Sequence, residues 1–284
     1  VQPERHKPIW LTPNLLSLDA PLVAVAWLYM FAKTWRVNYL PWVAYASLAL
    51  VVWLIYVMDR LLDVSMGGHR TRSQARHDFH RKHARTFRNL AWAAAGIASV
   101  MIIKGLPMTI YGYAFVGAIM VGGFFTLSIL SNAESPEIPY AKNVVAGLTF
   151  AYGTAMLAHA YTGFEKGALL RSPEMICFAV LCILNISAID LWEHASQSND
   201  IEIKASDELA LTLPLTLLGG ASLVFALRDP DLTTRPFFYA ILTGAALLQV
   251  LNRTRSKWST SSLRVLADAA LLVPLLVFMA SSKS

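Results

Sequence analysis

Two pairs of carboxylates stand out in a chain that carries few charges. Asp59 and Asp63 lie four residues apart in Asp59-Arg60-Leu61-Leu62-Asp63, and Asp190 and Glu193 lie three apart in Asn185-Ile186-Ser187-Ala188-Ile189-Asp190-Leu191-Trp192-Glu193-His194. On a helix either spacing stacks the two groups on one face, with Cβ atoms roughly 5–6 Å apart. Like charges that close repel unless a cation or a proton sits between them. Hard carboxylate oxygens suit Mg2+, which binds through one or two carboxylates and completes its shell with water and phosphate oxygens. Asp59, Asp63, Asp190 and Glu193 are therefore candidate catalytic and metal-holding residues, and Asn185, a turn and a half before Asp190, joins the second group. Without a metal, the same residues read as solvated helix ends, with Asp59 paired to Arg60 or to arginines of the loop that follows.

A diphosphate held by such a site also needs fixed positive charge. Eight of the 24 Lys and Arg fall between Arg60 and Arg88, together with four of the seven histidines. Arginine takes phosphate oxygens by paired hydrogen bonds and lysine acts as a point charge. Arg72, Arg76 and Lys142 are the candidates for that role. The competing reading is a basic cytoplasmic loop, about residues 63–88, that sets topology and touches anionic lipid. That reading also accounts for the pI near 9.4 without nucleic acid. His77, His80 and His83 recur every three residues like a zinc site, but Arg81 and Lys82 between them favour a solvated basic helix.

These groups must be positioned by apolar helices. The 284 residues are 56% hydrophobic and 15% charged, with mean hydropathy +0.48. Soluble domains carry about 25% charged residues, so most soluble enzymes, disordered chains and disulfide-stapled secreted modules are excluded. Cys177 and Cys182, five apart in an apolar run, would point in different directions on a helix and read as packing residues. A hydrocarbon core needs roughly 20 apolar residues per helix. By that measure nine spans are expected, near 13–32, 40–62, 89–104, 107–130, 141–162, 173–194, 208–227, 235–252 and 261–281, the third being the shortest. The apolar runs are continuous rather than alternating, which disfavours a β-barrel. The expected fold is thus an all-α, multi-pass membrane protein forming a single domain over 1–284. The first apolar run is broken by Pro13, Asp19 and Pro21 and continues to Phe31, so it reads as a span rather than a cleaved signal peptide. About twice as many Lys and Arg fall on the N-terminal side of these spans as on the other, which places the N-terminus in the cytoplasm. With that topology Asp19, Asp59, Asp63, Lys142, Asp190, Glu193, Arg264 and Asp268 all lie toward the cytoplasmic face, with Asp268 one turn from Arg264 as a possible pair. His159, near the opposite face, reads as a structural histidine.

This arrangement resembles the UbiA family of intramembrane prenyltransferases. That family has nine helices, an NxxxDxxxD motif ending the second and a DxxxD-type motif ending the sixth. Asp59 and Asp63 match the two aspartates of the first motif, Asp190 matches the leading aspartate of the second, and Pro139-Tyr140-Ala141-Lys142 looks like the family's Tyr/Lys signature entering the fifth helix. Ile55 stands where the first motif has Asn, and His194, preceded by Glu193, stands where the second ends in Asp. The resemblance covers the chain in helix count and motif placement, and it is local in identity.

It implies a UbiA-like bundle and Mg2+-dependent transfer of a prenyl group from an isoprenoid diphosphate to an aromatic or other lipophilic acceptor. Asp59, Asp63, Asp190 and Glu193 would hold metal, while Arg72, Arg76, Lys142, Asn185 and Tyr140 would bind substrate. An allylic cation is stabilised by aromatic faces in a water-poor cavity. Trp53, Tyr56, Phe150, Tyr152 and Trp192 lie on the relevant helices, where ordinary packing is the alternative. A terpene cyclase on the same scaffold would ionise the diphosphate identically and capture the cation internally. In a different class, Asp19, Asp190 and Asp268 could form the ion path of a carrier, although carriers place such groups at the bilayer midplane.

Overall fold

The computed structural model describes residues 14, 16–65, 82–130, 137–198, 200–229 and 232–282; of residues 63, 65, 137–139 and 197 only the helical backbone is described. Arg72, Arg76, His77, His80 and most of the basic loop therefore lie outside the described residues, as does the Asp63 side chain. Ten longer helices follow in order: α1 Asp19–Thr34, α2 Trp42–Ser65, α3 Ala84–Gly105, α4 Ile110–Leu130, α5 Glu137–His159, α6 Pro173–Gln197, α7 Ile201–Arg228, α8 Arg235–Thr254, α9 Thr260–Leu272 and α10 Pro274–Ser281. There is no strand among the described residues.

Each of the nine apolar segments contains a helix, and six stretches are long and apolar enough to cross a membrane: Trp42–Leu62, Ala84–Gly105, Ile110–Leu130, Pro173–Ser196, Ile201–Arg228 and Thr260–Ser281. The chain is an all-α membrane protein. The other three helices, α1, α5 and α8, fall short for two reasons, length in α1 and polar residues in α5 and α8. They are largely enclosed by neighbours and need no fully lipid-compatible surface. With 16 residues α1 is about 24 Å long, less than the ~30 Å hydrocarbon thickness. Inside the bundle, α5 carries Lys142, Asn143, Thr154 and His159 buried, and α8 carries buried Asn252.

Boundaries differ from the apolar runs where polar residues extend a helix. The first turn of α7 begins well before 208 because Asp200 caps it, its carboxylate accepting from the Glu202 amide at 2.8 Å. The last segment is not one helix but two, since Pro274 has no N–H to continue α9. In the last turn of α9 the Leu271 carbonyl accepts the Trp27 indole N–H at 2.8 Å. Trp27 also stacks on Phe178 with ring centroids 4.3 Å apart and meets the edge of Phe237 at 5.5 Å. One side chain thereby ties α1 to α6, α8 and α9.

Two packing features shape the interior. At Gly147 the backbones of α5 and α6 approach so closely that a methyl group there would lie 2.7 Å from the Ile183 nitrogen and 2.9 Å from its Cα. Small residues permit such approaches in membrane bundles. By contrast, α3 and α4 follow one another through a four-residue connection, 106–109, yet barely touch: α3 packs on α2, and α4 on α5. Ala118, midway along α4, is exposed and lines the interior cavity.

Candidate functional site

A cavity of about 470 Å³ lies between α1, α2, α3, α4, α5, α6 and α9. On α5 its lining runs from Lys142 to Leu157, fifteen residues and about 22 Å of helix. One end is polar and is built by Asn14, Asp19, Tyr56, Asp59, Arg60, Lys142, Asn143, Asn185, Asp190, Arg264 and Asp268; the other is closed by Leu48, Ile102, Leu106, Ile110, Met156 and Leu157. The shape is that of an amphiphile, with a headgroup compartment and a long apolar channel.

The polar end is assembled by α5. Lys142 and Asn143 are consecutive, so their side chains leave the helix about 100° apart and reach different neighbours. Lys142 Nζ lies 3.4 Å from Asp59 Oδ1 on α2, and Asn143 Nδ2 donates to Asp190 Oδ2 on α6 at 2.8 Å. Ser128 of α4 donates to the same Asp59 oxygen at 3.0 Å, and Arg60 Nη1 stands 3.9 Å from Oδ2. Lys142 also sits over the Phe124 ring, 5.4 Å from its centroid. Asp59 and Lys142 are largely buried, with side-chain exposures of 14% and 11%, where an uncompensated charge would be costly. Across the cavity Asn14 donates to Asp19 at 2.5 Å and to Asp268 at 3.3 Å.

Asp59, Asp190, Lys142, Asn185 and Tyr56 thus come together at one end, joined by Asp19, Arg264 and Asp268. The other candidates stand elsewhere. Glu193 is bonded to Arg264 rather than facing the cavity; Arg264 Nε donates to its Oε1 at 2.8 Å and Nη2 donates to the same oxygen. The partner of Arg264 is thus Glu193 on α6, where one-turn spacing pointed to Asp268. Trp192 is buried and donates to Asn252 Oδ1 at 2.9 Å, and Tyr140 is exposed outside the cavity lining. Asn185 donates to the Ala267 carbonyl at 2.8 Å, locking α6 to α9. His194 pairs with Asp207 at 2.8 Å, and His159 bonds Tyr113 at 2.7 Å, each a protein contact. Of the other aromatic candidates, Phe150 lines the cavity beside Tyr56.

Sequence reasoning missed Asn143 and Ser128. Asn143 had a signal, a second polar residue beside Lys142 at the start of an apolar run, whereas Ser128 had none. If Asn143 orients the Asp190 carboxylate, Asn143→Ala should lower metal affinity or turnover about tenfold, while Asn143→Asp should not restore it. Titration with Mg2+ in each variant checks this.

Among the described residues no three His, Cys, Asp or Glu side chains cluster closely enough to hold a metal ion alone. Mg2+ asks for less, one or two carboxylates with water and phosphate oxygens. The described lining holds four carboxylates, Asp19, Asp59, Asp190 and Asp268, against three cations, Arg60, Lys142 and Arg264. Those carboxylate oxygens are hard donors of the kind that fits a divalent cation such as Mg2+. No family model, curated protein or solved structure matches the chain.

Proposed function

We propose that the chain is an intramembrane, Mg2+-dependent prenyltransferase of the UbiA type, with nine spans, the N-terminus and the polar end of the cavity facing the cytoplasm. The observation that carries this reading is the cavity, which runs about 22 Å along α5 and whose carboxylates from two helix ends are held by Lys142 and Asn143 at its polar end, with an apolar stretch beyond. A prenyl diphosphate has the same division, a polyanionic head on a linear, methyl-bearing run of isoprene units. Gathering of the carboxylates at one end also favours this reading over a carrier.

Asp59 and Asp190 would hold Mg2+, with Asp63 one turn beyond Asp59. Bound there, the ion acts as a Lewis acid that neutralises the leaving diphosphate. Lys142 and Arg60 stabilise the negative charge that grows on the leaving oxygen as the allylic C–O bond breaks. Tyr56 and Phe150 offer π faces to the cation, and the apolar channel keeps water from quenching it. The electron pair of the C–O bond leaves with diphosphate, the acceptor nucleophile bonds to the freed carbon, and the acceptor loses a proton.

The test is diphosphate release by purified protein in micelles, from geranyl, farnesyl and geranylgeranyl diphosphates, with lipid extract as acceptor source. Release that requires Mg2+ and is abolished by chelation, with a prenylated product, is expected. Cyclic hydrocarbons or alcohols formed without acceptor would identify a cyclase instead. No release from any of the three would sink the reading.

A further inference from the structure

Among the described residues, Arg264 is a cation of the site whose bonding leaves one edge uncommitted. Lys142 and Arg60 both face Asp59. Arg264 gives Nε and Nη2 to the single oxygen Oε1 of Glu193, and Nη1 has no partner among the described residues. A guanidinium presents five N–H groups in a rigid fork, so a side-on grip on one carboxylate oxygen leaves the opposite edge to bind something else. That side chain is only 9% exposed, yet it lines the cavity. Its register is fixed by the Asn185 bond to Ala267, which clamps α9 against α6 within one turn of Arg264.

We propose that Arg264 is an oxyanion-binding residue of this cavity and that Glu193 is its positioning residue rather than a metal ligand. The inference rests on the diphosphate reading above and adds a wall of the site that the carboxylate motifs did not include. The ligand group is an oxyanion with planar-fork geometry, either a phosphate oxygen of the prenyl diphosphate or the carboxylate of an acidic acceptor. Both present paired oxygens that an arginine edge matches.

Two probes separate these sources: inorganic pyrophosphate with Mg2+, and benzoate, each titrated against purified full-length protein. Arg264→Gln should weaken one of them about tenfold or more, the loss of a charged hydrogen bond, and Arg264→Lys should recover part of it. Weakening of pyrophosphate alone assigns Arg264 to the donor head, and weakening of benzoate alone assigns it to the acceptor. Glu193→Gln should weaken the same probe while leaving the Mg2+ concentration for half-saturation unchanged. A tenfold shift in that Mg2+ requirement, with probe affinity intact at saturating Mg2+, would make Glu193 a metal ligand and overturn the proposal. Equal affinities for both probes in wild type, Arg264→Gln and Arg264→Lys would overturn it too. Failure of the wild type to bind either probe would remove the diphosphate reading itself, a distinct result. Thermal unfolding of each variant identifies any that fails to fold, and Glu193→Gln, which preserves volume, then carries the decision.

Discussion

Asp59→Asn and Asp190→Asn should each reduce turnover by about 100-fold or more, while the protein still folds and inserts. The magnitude follows from removing a charged group from a preorganised, water-poor site, where one donor or ligand commonly accounts for two or more orders of magnitude. The two carboxylates reach the site from different helices and are held by neighbouring residues of α5, Lys142 through Asp59 and Asn143 through Asp190. Their losses should therefore be non-additive, with the double variant little worse than either single one. Asp59→Asn also leaves Lys142 beside a neutral amide, so its folding needs to be read separately, by unfolding temperature. Turnover assays of the three variants at saturating Mg2+ decide the matter. Full activity in either single variant would remove that carboxylate from the site.

Gly147→Ala should destabilise the bundle by about 1–3 kcal/mol, the usual cost of forcing an extra carbon into a packed interior. The clash is with the nitrogen and Cα of Ile183, backbone atoms that cannot rotate away. Relief requires α5 and α6 to separate, and these are the helices that carry Asn143 and Asp190. The same substitution should thus loosen the 2.8 Å Asn143–Asp190 bond and lower activity along with the unfolding temperature. Gly220→Ala is the control, because Gly220 lies outside the cavity lining and a methyl there meets nothing within 4 Å. Equal stability of the two variants would mean that the α5–α6 approach is not limiting.

Much of the site was legible because polar groups in apolar helices are costly and hence conspicuous. Asp59, Lys142, Asp190 and Asn185 could be picked out by type and depth alone, and they do meet at one end of the cavity. The partnerships were not legible. Glu193 and Arg264 are 71 residues apart, and nothing in either local sequence says that α6 and α9 lie side by side. Arg264 was instead placed near Asp268 by one-turn spacing, a rule that knows only its own helix. The fold divides in the same way. Helices exposed to lipid announce themselves by uniform apolarity, as α4 does. The enclosed helices α1, α5 and α8 are shortened or interrupted by polar residues that only their neighbours make tolerable.

On the proposed reading, the sparse packing between α3 and α4 bears on how the protein would count its ligand. Ala118 is exposed and lines the cavity midway along α4, and on the proposed prenyltransferase reading a donor with a long hydrocarbon tail would reach it from the bilayer, already partitioned there. What such a protein senses is mole fraction in the surrounding lipid, a two-dimensional density, and not molarity in water. Saturation in one membrane and starvation in another could then occur at the same total amount of substrate, set by how much lipid shares it.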